Sequence, residues 1–477
     1  MSADLFEHVY GFWKPMVDRQ ELSRLASFGN LGDSPSPGIR VLRPDSEPRC
    51  YWVIDAGARI LLFAAVQPIE EPSEAAEVLA DIRDLSGNHY SFLLWYPKAK
   101  CVVVPFDPKA AIESLRLERY MPESQKTVLP SSILSAYYAL RPLLPASVRL
   151  KLRKLLARRV DAGEHYLSWP FDQSLDLLMQ LLLRAAMLAS GRDSLPFMWF
   201  WPHRHPWAAV LTHDVETGDG LALIPRVMDI EQARGLKSSF NFVAQDYEVR
   251  ESLLQGVRDS GFEIGVHGYS HDRLMFARRS TFLKRVGVVN DYARRWGAVG
   301  FRSPATYRNL EWFGDLDFEY DSSVTDVAAY EPQPGGCASI FPYEIGRITE
   351  LPITMPQDHT LFGLLGHTDS KAWLAKMERI RGAHGMACML THPDPRAGYI
   401  GREENEAHYR EVLDFVAESE AWTPLPRDLV RWWKARATAD AGRVDELHGA
   451  ATGTAVMEGG GQLRIVPPAL SMRTATL

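Results

Sequence analysis

The sequence predicts an α/β protein: a parallel sheet or β/α barrel over residues 196–436, preceded by a smaller α/β or α+β unit and a helical segment. Three observations lead there. Short apolar runs alternate with helical stretches throughout 196–436, the order that parallel strands joined by crossover helices produce. The run WAAVL (Trp207 to Leu211) is continuously apolar, as in a central strand covered on both faces. Residues 1–125 alternate shorter runs of both kinds without a recognisable motif. A chain of 477 residues is long for one core, and length alone suggests about two or three domains.

Taken in order, YWVID (51–55), ARILLFAAV (58–66), SFLLW (91–95) and CVVVPF (101–106) are expected strands. PSEAAEVLADIRDL (72–85) and DPKAAIESLRL (107–117) are expected helices. Residues 126–195 turn helical. Within them SVRLKLRKLLARRV (147–160) sets an apolar stripe against six basic residues. That pattern suits an anionic membrane surface or, more ordinarily, a surface helix packed on a neighbour. LDLLMQLLLRAAMLA (175–189) is apolar nearly all round and is expected to be a buried helix.

Strands are then expected at AAVLTHD (208–214), KSSFNFVAQD (237–246), FEIGVHG (262–268), AVGFRSP (298–304), FEYDSSV (318–324), ELPITM (350–355) and MACMLTH (386–392). Helices are expected between most of them, such as 280–297 and 406–420. The tail, 437–477, is rich in Ala, Gly and Thr and is expected to be partly disordered, with one strand in GQLRIVPPAL (461–470).

Composition narrows the function classes. The chain is 46% hydrophobic and 24% charged with a net charge of −7, which gives no basic field for nucleic acid. Residues 1–13 lack the basic and apolar regions of a signal peptide. No run of about 18 apolar residues occurs, so a cytoplasmic location, at most peripheral to the inner membrane face, is expected. Cys50, Cys101, Cys337 and Cys388 are far apart, which favours free thiols over a disulfide framework.

The chemistry-bearing residues gather at strand ends. THDVE carries Asp214 and Glu216 at the exit of the first barrel strand, and HGYSH carries His267 and His271. Four-residue spacing on a helical turn would put both imidazoles on one side, where they can grip a metal, although two histidines alone are often fortuitous. Asp214 or Glu216 would be the third ligand. Arg302 ends another strand, Asp321 lies on the next, and His392 closes the last. A structural Arg302–Asp321 salt bridge is the alternative for that pair.

In this order THDVE, HGYSH, FRSP, YDSS and LTHP resemble the motifs of the polysaccharide deacetylases, the NodB-homology carbohydrate esterases. The match covers about half the chain, from Trp207 to Pro393. The resemblance implies a distorted, incomplete (β/α) barrel and a divalent metal, usually zinc, held by His267, His271 and an acid of the first motif. It further implies Asp214 as general base, Arg302 as its partner, His392 as general acid and Asp321 as the group that orients His392. The backbone N–H of Ala305 would help to stabilise the oxyanion.

Two departures qualify the match. The family's adjacent aspartates are replaced by Asp214-Val215-Glu216. Along a strand, positions i and i+2 share a face, so both acids can reach one site. A D-x-D or D-x-E version of the motif occurs in some relatives, so the resemblance assigns Glu216 to the metal, with Asp214 itself as the other choice. Gly268 stands where the family has Ser or Thr, a change expected to cost only loop support. His213, on the opposite strand face, is read as structural, and His203 and His205 as part of a loop.

The implied function is metal-dependent hydrolysis of an amide C–N bond, removing an acetyl group from an N-acetylated sugar of a polysaccharide or its precursor. A lipid-linked precursor would suit the basic segment 147–160. Another C–N hydrolysis on the same barrel (a small amide or cyclic imide) and a non-catalytic glycan-binding or assembly scaffold are the alternatives. Tyr307, Trp312 and Phe313 could stack on a sugar or simply pack.

Overall fold

The computed structural model describes residues 11–16, 26–28, 37–42, 49–121, 167–458 and 462–469. The segment 147–160 lies outside these residues. The chain forms two compact units, one of Met1–Tyr120, Gln173–His205 and Trp432–Leu477, the other of Met121–Asp172 and Pro206–Arg431.

The first unit is built on β1 (Ala26–Phe28), β2 (Gly38–Val41), β3 (Cys50–Asp55), β4 (Arg59–Ala64), β5 (Glu77–Asp84), β6 (His89–Tyr96) and β7 (Cys101–Val104). They form one sheet in the order β1-β2-β7-β6-β5-β3-β4. The β1–β2–β7 edge is parallel and the rest antiparallel. Helix α1 (Pro108–Arg116) starts at Asp107, whose carboxylate accepts from Lys109 N at 3.0 Å. Helix α2 (Ser174–Ser190) buries both sides, as its sequence predicts, and stops at Gly191 with φ 67°.

One helix expectation fails. Residues 77–84 form β5, not a helix. EAAEVLADIRDL has good helix formers, but Ala80 and Ile82, two positions apart, are both buried. Pairing with β3 and β6 places that period-two face on the core, and tertiary packing overrides local propensity.

A second small sheet of the same unit begins with β8 (Ser194–Met198). Its remaining strands come from the end of the chain and follow the barrel in sequence.

The second unit carries β9 (Ala208–Val215), β10 (Ser239–Phe242), β11 (Glu263–Val266), β12 (Gly300–Phe301), β13 (Tyr320–Asp321), β14 (Tyr343–Ile345), β15 (Ile348–Glu350) and β16 (Met386–Thr391). The sheet order is β14-β15-β13-β12-β11-β10-β9-β16, parallel except for β14 against β15. Helices α3 (Ile224–Gln232), α4 (Glu251–Asp259), α5 (Arg279–Trp296), α6 (Lys371–Gly382) and α7 (Glu403–Glu418) lie between strands or after the last. This is the expected incomplete, distorted barrel.

Its distortion is local to the closure. Only Glu350 of ELPITM belongs to a strand ladder. The following residues run from β13 to β16 through irregular bonds, Ile353 N to Val324 O at 2.8 Å and Thr354 N to Cys388 O at 3.2 Å. Thr354 Oγ1 also accepts from Cys388 N at 2.8 Å, so a side chain supplies what a regular ladder would.

The small sheet is completed by β17 (Thr452–Met457) and β18 (Leu463–Val466), ordered β18-β17-β8. The tail is therefore ordered over these strands, including the one expected in 461–470. Arg436, 1% exposed, donates to Trp199 O, Phe12 O and Met198 O. Burial lowers its pKa to about 9. All four cysteines are free. Among the described residues no helix is long and apolar enough to cross a membrane.

Candidate active site

Parallel register brings the motifs to one end of the barrel. Asp214 is paired with Asn241, Asn241 with Gly265, and Gly265 with Gly300 on successive strands. All eight residues of β9 are buried, so the apolar run before Asp214 anchors a carboxylate that is itself 2% exposed. Asn241 Nδ2 donates to Asp214 Oδ1 at 2.8 Å. A Cβ at Gly265 would lie 2.0 Å from Asn241 Oδ1, so the missing side chain makes room for that amide. Asn241 has no motif signal in the sequence beyond its place in an expected strand.

Asp214 is the lower-pKa carboxyl that a base requires. Burial pushes its pKa up, but His267, Arg302 and His392 with the Asn241 hydrogen bond outweigh this, and the net direction is down. Arg302 Nη1 lies 3.7 Å from Asp214 Oδ1. Arg302 is 1% exposed and Nη2 donates to Thr212 Oγ1 at 3.0 Å and Ser322 Oγ at 2.8 Å. Its hydrogen bonds therefore go to two hydroxyls and not to Asp321.

His267 follows β11 directly. Its Nδ1 lies 3.2 Å from Arg302 O, which fixes the tautomer with the proton on Nδ1 and leaves a lone pair on Nε2. Burial lowers its pKa to about 4, so the ring is neutral. His271 is not on a helical turn, contrary to the expectation. It sits on a bend where Asp246 accepts from His271 N at 2.6 Å and from Ser270 Oγ. The two rings still face one region, with centroids 5.4 Å apart.

Gly268 does more than tolerate the bend. Its φ is +68°, and a Cβ there would lie 2.5 Å from Pro304 Cδ, against a ring that cannot swing away. The expectation that replacing Ser or Thr costs only loop support is therefore revised: this loop requires glycine. Gly268→Ala should destabilise the unit by about 1–3 kcal/mol, the usual cost of overpacking, read as a lower urea midpoint at unchanged slope.

Glu216 leaves β9 and spreads its oxygens. Oε1 lies 3.0 Å from His271 Nε2 and 3.7 Å from His392 Nε2. Oε2 accepts from Arg396 Nη1 at 2.7 Å and Tyr399 Oη at 3.1 Å. Burial raises its pKa, but His271, His392 and Arg396 hold it well below the ordinary carboxylate value.

His392 is paired with a different carboxylate from the one expected. His392 Nδ1 lies 2.7 Å from Asp358 Oδ1, and His392 N donates to Asp358 Oδ2 at 2.9 Å. Asp358 is fully buried and also caps the helical turn His359–Leu365 through His359 N. Burial opposes protonation of His392, but Asp358, Glu216 and Asp214 together raise its pKa to about 9. Asp321 instead accepts from Ser323 N and Ser323 Oγ, both at 2.8 Å, beside Glu350 on the next strand. Burial pushes both carboxyls up, Glu350 well above its ordinary value.

Asp358 was missed because it lies on no expected strand, and its one signal is that of a helix-capping aspartate. Arg396 and Tyr399 follow the LTHP motif in a loop without any pattern. His213 is structural, as read: it bridges Glu231 Oε1 at 2.7 Å and Thr391 Oγ1 at 2.8 Å within the core. Phe313 is fully buried, Tyr307 is 8% exposed and Trp312 packs on Phe276 and Phe282. These aromatics pack rather than form a sugar platform.

An open barrel with carboxylate, imidazole and arginine at its strand ends carries the groups of a hydrolase, and its family match points to those acting on carbon–nitrogen bonds other than peptide bonds. Residues 205–306 match the family model for polysaccharide deacetylase. Asp214, Glu216, His267, His271 and Arg302 fall inside that match; Asp321, Asp358 and His392 lie beyond it. Among solved structures, a Mycobacterium smegmatis protein described as a polysaccharide deacetylase is 19% identical, with a TM-score of 0.41 over 50% of this chain and 94% of that one. The Puue allantoinase is 15% identical, with a TM-score of 0.38 over 50% and 93%. A probable polysaccharide deacetylase of Pseudomonas aeruginosa is 15% identical, with a TM-score of 0.38 over 50% and 93%. No curated protein matches the chain.

Proposed function

We propose that this domain hydrolyses the acetamido group of an N-acetylated sugar, with a divalent metal, zinc by preference, held by His267, His271 and Glu216. One observation carries the reading. His267 Nε2 is buried and has no hydrogen-bond partner, a costly arrangement for an imidazole unless something else uses its lone pair, and His271 Nε2 beside it has only the carboxylate Glu216 Oε1. The 3.0 Å approach of Glu216 Oε1 to His271 Nε2 is not aligned as a hydrogen bond. Two imidazole nitrogens and a carboxylate are the donor set of hydrolytic zinc. Among the described residues, no three His, Cys, Asp or Glu side chains are placed to hold a metal ion as they stand, so the reading rests on the chemistry of these donors and not on a formed cage.

When bound, the metal supplies Lewis acidity toward water and the amide carbonyl. The chain's own residues do the proton work. Asp214, kept ionised, accepts a proton from the attacking water. His392, kept protonated by Asp358, donates one to the departing amine nitrogen as the C–N bond breaks. Opposite pKa shifts in two neighbouring groups let base and acid coexist at one pH.

Metal analysis tests this directly. The purified protein should hold about one zinc per chain, lost in the His267→Ala/His271→Ala variant and weakened by Glu216→Ala, and acetate should be released from N-acetylated sugar oligomers. Absence of zinc in the wild type after zinc addition and dialysis would contradict the reading.

A further inference from the structure

The loop after His392 contacts Glu216, Asp358 and His392, and its residues have no part in the chemistry above. Asp394, fully buried, accepts from Glu216 N at 3.1 Å and from Thr217 Oγ1. Arg396, with 47% of its side chain exposed, and Tyr399, 6% exposed, share Glu216 Oε2. Ile400 N donates to Asp358 Oδ2 at 3.1 Å, the oxygen that also accepts from His392 N. Of these loop residues, Tyr399 reaches both Glu216 and His392. Its hydroxyl is on Glu216, and its ring lies flat on His392, centroids 4.3 Å apart at 16°.

We propose that Tyr399 is a positioning residue that ties the acid His392 to the metal-ligating carboxylate Glu216. The idea rests on the reading above for what those two groups do, but the tie itself is geometric. Arg396 holds the same oxygen with a half-exposed side chain whose restraint is weakened by solvent. Tyr399 holds it from a buried position, and a phenol ring has few torsions to lose. Anchoring the hydroxyl at Glu216 holds the end of the side chain in place, and the ring so held packs flat against one face of the His392 imidazole. A flat ring beside an imidazolium also favours the charged form.

Tyr399→Phe tests the tie because it removes the anchor and keeps the ring. Two readouts are taken: zinc affinity by competition with a chromogenic chelator, and the His392 ring-proton shifts of the metal-free protein by NMR. Zinc binding should weaken about tenfold, as for loss of a hydrogen bond to a ligand. The His392 protons should move downfield as the loosened ring leaves its stacked position. Tyr399→Leu should add a fall in kcat at saturating zinc with little change in KM, whereas a loss of folding would lower active-site concentration and leave kcat per folded site unchanged. Wild-type shifts in Tyr399→Phe would overturn the proposal, as would wild-type zinc affinity. If the wild type itself binds no zinc, the metal reading fails, and the NMR shifts alone decide the tie.

Discussion

Asp214→Asn should lower kcat by about 10²- to 10⁴-fold, the range that a positioned general base contributes, and should leave the zinc content unchanged. The substitution keeps shape and still offers an oxygen to Asn241 Nδ2, now 2.8 Å away. What it removes is the capacity to take a proton, which the environment has been arranged to preserve. Burial alone would raise this carboxyl, and His267, Arg302 and His392 reverse that. Activity measured by acetate release and zinc by elemental analysis decide the matter together. Loss of both would make Asp214 the ligand, and the division of labour between Asp214 and Glu216 would be wrong.

Asp358→Asn should have a comparable effect by a different route. His392 is 4% exposed, and its burial favours the neutral ring. Asp358 is the largest opposing influence and brings the pKa to about 9. With that charge removed, burial is opposed only by Glu216 and Asp214, and the pKa should fall. At neutral to mildly basic pH the variant should then lose much of its acid form, and kcat should fall by up to about 10²- to 10⁴-fold. The basic limb of the wild-type kcat profile should lie near pH 9; in Asp358→Asn it should move to lower pH. Asp321→Asn should leave that limb in place, because Asp321 bonds to Ser323 and not to the imidazole. A shift in Asp321→Asn without one in Asp358→Asn would reverse the assignment.

The same pair affects stability with a definite sign. The folded pKa of His392 lies above the unfolded one, so the folded state binds the proton more tightly. Its stabilising contribution is complete below about pH 6.5 and is lost as pH rises through about 9. The urea midpoint of the wild type should carry this loss between those values, and the variant should carry less of it.

The sequence by itself determined the parallel strand–helix order and the end of the sheet at which the polar groups gather. Apolar runs ending in Asp214, His267, Arg302 and His392 are legible because in a parallel sheet every strand ends on the same side. Once the strands were recognised, convergence of those residues followed from the topology. The spacing of Asp214 and Glu216 was legible for a similar reason, since alternate positions on a strand share a face.

Tertiary structure alone decided what partners those groups have. Asp358 reaches His392 across 34 positions of sequence from a helix cap, and Tyr399 reaches Glu216 across 183 from a loop. Neither arrangement leaves a period or spacing to read. Asp321 looked equally suited, yet its strand neighbour Glu350 and Ser323 occupy it. Gly268 looked like a neutral replacement until Pro304 appeared against it. In the first unit, the residues of β5 have the composition of a helix and became a strand because two neighbouring strands covered their alternating face. Local sequence sets what a segment can do, and where several outcomes are close in energy the contacts from distant segments choose among them.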